Sequence, residues 1–179
     1  MLFETPRLVC RRLTPADLDV MYAVYSDADA MRWVGDGQPI SRDGCVQWID
    51  ITLNNYATRG YGMFALALRQ GGSVVGFCGL VHPGGQVEVE IKYALRRAFW
   101  GMGLATEAVE GMLGYGRDVH GINRVIATVA PQNLASQRVL LKAGMRDIEL
   151  RNNPDGSRTS LFEWNAPQSV GQASSVGGD

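Results

Sequence analysis

The sequence predicts an α/β (α+β) domain built on a mixed, largely antiparallel central sheet of about six to seven strands, flanked by helices on both faces. Three observations lead there. Short apolar runs, several of them alternating, recur between glycine-rich turns. Segments with helical spacing separate them. A Gly-x-Gly turn joins one strand directly to a helix. The chain of 179 residues is long enough to bury one core. We expect one domain over residues 1–166 and a polar, glycine-rich mobile tail over 167–179.

The elements follow from punctuation. Residues 7–13 read as a first strand. Thr14 and Pro15 then form an N-cap with proline at the first helical position, and Leu18, Met21, Tyr22 and Tyr25 recur on one helical face. Ser41 caps a second helix running to about Thr58, with Val46, Ile49, Ile51, Leu53 and Tyr56 facing mostly inward, and Gly60 ends it. Residues 61–69 and 73–82 make a hairpin around Gly71-Gly72. After the turn at Pro83–Gln86, residues 87–95 alternate strictly. A helix starts near Leu104 and stops at His120-Gly121, followed by a buried strand over 124–129. Strands over 146–151 and 158–165, joined by Asn153-Pro154-Asp155-Gly156, complete the sheet.

Composition narrows the class. Hydrophobic residues make up 46% and charged residues 20%, and the net charge of −1 points to neither nucleic acid nor an anionic membrane as partner. Cys10, Cys45 and Cys78 are odd in number and lack metal spacing, so reduced, buried thiols are expected. His82 and His120 stand apart, and no metal is expected. With no signal peptide or membrane-length apolar run in the sequence, the expected compartment is the cytoplasm. The expected state is a monomer or homodimer.

The chemistry concentrates at Phe99-Trp100-Gly101-Met102-Gly103-Leu104-Ala105-Thr106-Glu107-Ala108. Two glycines spaced by one residue permit a tight turn with positive φ, and the following helix start presents free N–H groups and its positive dipole end. That combination suits an anion such as a pyrophosphate. A dinucleotide fingerprint is excluded, because its third glycine or alanine falls on Thr106. The acidic residue expected about 20 positions on is absent, with Ile122, Asn123, Arg124 and Val125 in that region. A nucleoside-triphosphate loop is excluded because the chain has no Gly-Lys pair. A different phosphorylated carrier is expected.

After the helix come the strand Arg124–Val129, then Pro131-Gln132-Asn133-Leu134-Ala135-Ser136, with Val139, Leu140, Lys142, Gly144 and Met145 beyond. This order of strand, Gly-x-Gly turn, helix, strand and N-x-x-S-x-x-x-L-x-K-x-G resembles the GNAT superfamily of acetyl-CoA-dependent N-acetyltransferases. Trp100–Ala108, Asn133-x-x-Ser136 and the opening Glu4-Thr5-Pro6-Arg7-Leu8 look most like its ribosomal-protein N-terminal acetyltransferase subgroup. The resemblance spans about residues 2 to 165 and implies a GNAT-like fold, acetyl-CoA as co-substrate and an amine acceptor. The chain departs from the pattern at three positions. Ala98 stands at the usual Gln/Arg of the pyrophosphate motif, with Arg96 and Arg97 just upstream. Leu140 replaces the tyrosine that protonates the leaving thiolate in many members. Lys92 replaces the glycine of Glu-Ile-Gly-Tyr.

The resemblance implies that strands 87–95 and 124–129 splay apart and that backbone groups near Tyr93 or Ala94 hold the thioester. The candidate coenzyme contacts are Tyr93, Ala94, Leu95, Arg96, Arg97, Gly101, Met102, Gly103, Leu104, Ala105, Thr106, Asn133 and Ser136. Glu90 is the candidate base, preferred to Glu88 on the same strand face because it aligns with the subgroup's glutamate; water is the other option. A solvated ion pair with Lys92 is its structural alternative. Ser136 is the candidate acid, or else a serine serving the helix start. Glu107 reads as structural and Trp100 as a packing anchor under the turn. Trp33, Asp36 and Trp48, around Gly37, are candidate acceptor contacts; the two tryptophans are otherwise core.

Three readings remain open: an N-acetyltransferase acting on a protein N-terminus or a small amine, a non-catalytic coenzyme-A-binding or sensing module, and a structural interaction domain. Coenzyme binding separates the last from the others, and thiol release with amines separates the first two. Neither the acceptor nor the choice of acetyl over another short acyl group is written in the residues.

Overall fold

The computed structural model describes residues 1–34 and 37–168. Asp36 and most of the expected tail, from 169 onward, lie outside the described residues.

An eight-stranded sheet forms the centre, in the order β1-β2-β3-β4-β5-β6-β8-β7. The first half is an antiparallel run: β1 (Phe3–Glu4), β2 (Leu8–Arg12), β3 (Met63–Leu68), β4 (Val74–Val81) and β5 (Glu90–Leu95). The second half is also antiparallel: β6 (Arg124–Val129), β8 (Arg158–Asn165) and, at the edge, β7 (Arg146–Asn152). The two halves meet in a parallel contact between β5 and β6 with a single register pair, Glu90 opposite Ile126. Beyond it the two strands part.

Helices cover both faces. Helices α1 (Leu18–Tyr25) and α3 (Arg42–Arg59) pack on Met63, Ala65 and Phe77, with the short α2 (Ala28–Met31) beside them. On the other face α4 (Leu104–His120) and α5 (Leu134–Lys142) pack on Leu66, Cys78, Leu80, Ile91 and Val125. The three cysteines are free and buried. Among the described residues no helix is long and apolar enough to cross a membrane.

The punctuation acts as the sequence predicts. Thr14 opens a capping box closed by Asp17, and Arg11 grips the same carboxylate with two bonds of 2.7 and 2.9 Å. The Ser41 hydroxyl accepts the Gly44 amide at 3.1 Å to start α3, and left-handed Gly60 ends it. Differences from the sequence reading have local causes. The sheet gains an eighth strand because the two residues of β1, too few to show a period, pair with Cys10 and Val9. In α3 the inward residues are Cys45, Ile49, Thr52 and Tyr56, spaced 4, 3 and 4 apart on one face. Val46, Ile51 and Leu53 rotate off that face and are exposed, contrary to the expected inward set. The strand expected from 87 starts at Glu90, because Pro83–Gly85 form a short 3-10 turn and Val87 projects into solvent.

Candidate active site

The parting of β5 and β6 creates the site. Arg96 donates its amide to Val75 of β4 at 2.8 Å, and Ile126 donates to the Val89 carbonyl at 2.9 Å. Alternation along β5 therefore turns the backbone groups of Glu90, Lys92 and Ala94 toward β4, and those of Ile91, Tyr93 and Leu95 toward the seam. The Ala94 carbonyl abuts Gly76, as this requires. Of the two candidate thioester holders, Tyr93 turns its amide to the seam, whereas the Ala94 amide faces β4.

The side chains divide the same way. Glu90, Lys92 and Ala94 face α1 and α3; Ile91, Tyr93 and Leu95 face α4 and α5. Glu90 is only 3% exposed. Its Oε1 accepts the Thr128 hydroxyl and lies 2.5 Å from Lys92 Nζ, and its Oε2 accepts Gln86 Nε2 at 3.3 Å. The solvated surface pair is thus overturned on the carboxylate side: β4, β6 and the turn before β5 enclose the glutamate. Glu88, before the strand, is exposed.

On the opposite face the Tyr93 hydroxyl lies 2.6 Å from Ser136 Oγ. Asn133 caps α5 by accepting the Ser136 amide at 3.1 Å, which fixes the serine at the helix start. Asn133, not Ser136, supplies the side-chain cap of the helix, and the Ser136 hydroxyl bonds Tyr93 instead of a backbone donor. Burial pushes the Tyr93 phenol up, against the opposing pull of its bond to Ser136, so it stays protonated at neutral pH. Leu140 is fully buried among the core residues of α4 and β6.

The Gly-x-Gly turn has the predicted geometry. Gly101 and Gly103 have φ of 73° and 76°, and Gly103 leads into α4 with no side-chain cap on the helix. The first-turn amides of Leu104, Ala105 and Thr106 are therefore left for a ligand. The site residues fit a phosphorylated carrier: uncapped amides at one end of the cleft and unpaired strand amides at the other. Leu104 anchors the turn in the core, whereas the Met102 side chain is exposed and only its carbonyl is used, accepting Arg7 Nη1 at 2.7 Å. Glu107 holds the first strands to this turn: Oε1 accepts the Thr5 hydroxyl at 2.5 Å and the Arg7 amide at 2.7 Å, and Oε2 accepts Arg7 Nε at 2.7 Å.

Two arginines beside the turn have partners of their own, and one expectation, that for Trp100, is corrected. Arg97 pairs with Asp27 at 2.5 Å and Asp29 at 2.8 Å and lies 5.8 Å from the Trp100 ring centroid. Arg96 lies over the Phe99 ring, 5.8 Å from its centroid. Trp100 is 46% exposed, with its indole N–H donated to the Leu95 carbonyl at 2.8 Å, so it latches the turn from outside and does not pack beneath it.

A continuous cleft of about 2200 Å³ joins these parts, larger than the roughly 300–1,000 Å³ of a single small-molecule pocket. Trp33 and Trp48 line its α1–α3 side and are 42% and 38% exposed, which removes the core alternative for both. Trp48 leans on Tyr25 with ring centroids 5.4 Å apart. The sequence reading missed Thr128, Gln86 and the Tyr93 hydroxyl. Thr128 carries the one usable signal, a polar residue interrupting the apolar run of β6. Among the described residues no group of three or more His, Cys, Asp or Glu is placed to hold a metal ion.

Comparison with known proteins agrees with this architecture. The acetyltransferase (GNAT) domain profile matches residues 7–146. The uncharacterized N-acetyltransferase p20 of Bacillus licheniformis is 30% identical over 143 residues, covering 76% of this chain and 77% of the relative. A GNAT-family acetyltransferase structure from Bacillus anthracis superposes with a TM-score of 0.77 at 22% identity, covering 90% of this chain and 96% of that one. RimL, a ribosomal L7/L12 alpha-N-protein acetyltransferase solved with coenzyme A, gives 0.78 at 14% identity, with 92% and 97% covered. The chain belongs to the GNAT acetyltransferase family and is an N-acetyltransferase.

Proposed function

We propose that the chain transfers an acetyl group from acetyl-CoA to a primary amine, on a protein N-terminus or a small molecule, by direct attack on the thioester. The observation that carries this reading is the seam: β5 and β6 part after one pair, with an enclosed carboxylate on one face and a hydroxyl pair on the other. The coenzyme supplies an activated acetyl group. The seam-facing amides of Tyr93 and Leu95 suit an extended, amide-bearing arm, and the uncapped amides of α4 suit its pyrophosphate. Fixed donors of this kind stabilise charge that develops on a carbonyl oxygen.

Glu90 takes the proton of the incoming amine, directly or through water. Ser136 donates a hydrogen bond to the departing sulfur, and the Tyr93 phenol behind it keeps that hydroxyl supplied with a proton. Trp33 and Trp48 form aromatic walls for the acceptor, with Asp36 as their candidate acidic partner. Trp100–Ala108 and Asn133–Ser136 favour the ribosomal-protein N-terminal acetyltransferase subgroup, and the shared fold of RimL supports it. Three free thiols fit the reducing cytoplasm.

A thermal-shift and thiol-release screen with acetyl-CoA tests this against amino acids, polyamines, aminoglycosides and short peptides. Coenzyme at about 100 times its dissociation constant should stabilise the fold by about 2.7 kcal/mol. No shift at millimolar coenzyme removes the co-substrate assignment. A shift without thiol release for any amine makes the chain a coenzyme-binding module.

A further inference from the structure

We propose that Lys92 is itself an acceptor, acetylated by the coenzyme bound in its own chain's seam. The proposal rests on the coenzyme reading above. It starts from scarcity: of 17 lysines and arginines only Lys92 and Lys142 are lysines. Arginine, always charged, is no nucleophile here, so these two and the amino terminus are the chain's candidate amines.

Lys92 is placed as an acceptor would be. Its Nζ reaches from β5 to the Thr128 hydroxyl of β6 at 3.3 Å, one alternation beyond the last pair, Glu90 with Ile126. The amine thus spans the mouth of the seam on the α1–α3 face. The side chain is 42% exposed and lines the cleft, while its carboxylate partner 2.5 Å away is buried. A primary amine, a proton acceptor in contact with it and an opening between strands are assembled from one chain. A lysine serving only a surface ion pair needs neither the buried partner nor the bridge across the seam.

The step balances without another reagent. An Nζ proton passes to Glu90, and the freed lone pair attacks the thioester carbonyl carbon. The C–N bond forms, the C–S bond breaks, and the thiolate leaves as coenzyme A thiol after taking a proton from the Ser136 side. Glu90 passes the first proton to solvent and then the second nitrogen proton the same way, and the Ser136 side regains its proton from solvent, so one proton is released overall. The product is a neutral amide, which ends the ion pair and leaves Glu90 with Thr128 and Gln86.

The test incubates the full chain with acetyl-CoA and no added amine. Intact mass and peptide mapping follow acetylation, and calorimetry follows coenzyme binding. Lys92 should gain one acetyl group at least about tenfold faster than Lys142, a margin that positioning easily supplies. The rate should saturate with acetyl-CoA and be independent of protein concentration. Lys92→Arg should bind coenzyme and lose the fast acetylation. Equal labelling of the two lysines, a rate rising with protein concentration, or no label on Lys92 despite bound coenzyme overturns the proposal alone. Absence of coenzyme binding overturns the coenzyme reading, and this proposal with it.

Discussion

Replacing Gly103 by valine separates the ligand-binding work of the turn from its role in folding. The residue sits at φ 76°, a region that costs a residue with a Cβ about 1–2 kcal/mol. A Cβ there would meet only Arg7 Nη2, at 3.4 Å, an ordinary contact, so the folding cost comes from the backbone and not from collision. In a chain of this size each kcal/mol lowers Tm by about 2–4 °C, so the variant should melt about 2–8 °C lower and remain folded. Binding should suffer more, because the branched side chain enters the space from which the α4 amides face a ligand. We expect acetyl-CoA affinity to fall at least tenfold, or about 1.4 kcal/mol, by calorimetry. Gly114→Ala is the control: it lies inside the same helix with open space around it, and it should be neutral or add about 0.4–1 kcal/mol with unchanged affinity. A folded Gly103→Val protein that binds acetyl-CoA as tightly as the parent would refute the argument and move the pyrophosphate elsewhere.

Two further results are expected. Glu90→Gln should lower kcat by about 10²–10⁴ with little change in coenzyme affinity, whereas Ser136→Ala and Tyr93→Phe should each cost less than that range because water substitutes. Their double variant should lose less than the sum if the two hydroxyls act as a unit, and unaltered rates across pH for all three would assign proton transfer to solvent. At Glu107, burial pushes the carboxyl up, but the bonds from the Thr5 hydroxyl and from the Arg7 amide and guanidinium outweigh it and hold it below the usual 4.5. The stability it contributes is therefore present at neutral pH and lost as pH falls through the acid range. Glu107→Gln should lower Tm at pH 7, and the gap should close toward pH 3; a gap constant across that range would contradict this.

The sequence makes the turns legible because turns are local. Thr14-Pro15, Ser41, Gly60, Gly71-Gly72 and Gly101-x-Gly103 each act through backbone within a few positions, and each sits where its chemistry predicts. The start of α5 at Asn133 is equally local. What was hidden depends on distant partners. Glu90 looks solvent-facing beside Lys92, and only Thr128 and Gln86 reveal its enclosure. The pairing of Arg97 with Asp27 and Asp29, some 70 positions earlier, is equally invisible to a local reading. The Tyr93–Ser136 contact spans 43 positions and no periodicity encodes it. In α3 the apolar residues outnumber the buried positions, so hydrophobicity alone selected the wrong members of the set.

The seam between β5 and β6 also divides the chain by order of synthesis. The strands up to Leu95 form a five-stranded blade, and those from Arg124 onward form a three-stranded one. Backbone pairing between the blades amounts to one ladder pair, and α4 lies in the chain between them. An extended molecule with amides of its own, lodged between the blades, would act as the strand the sheet lacks. Occupancy of the seam would then be a mechanical property of the whole domain: filled, the two blades would act as one plate; emptied, as two plates joined at one pair.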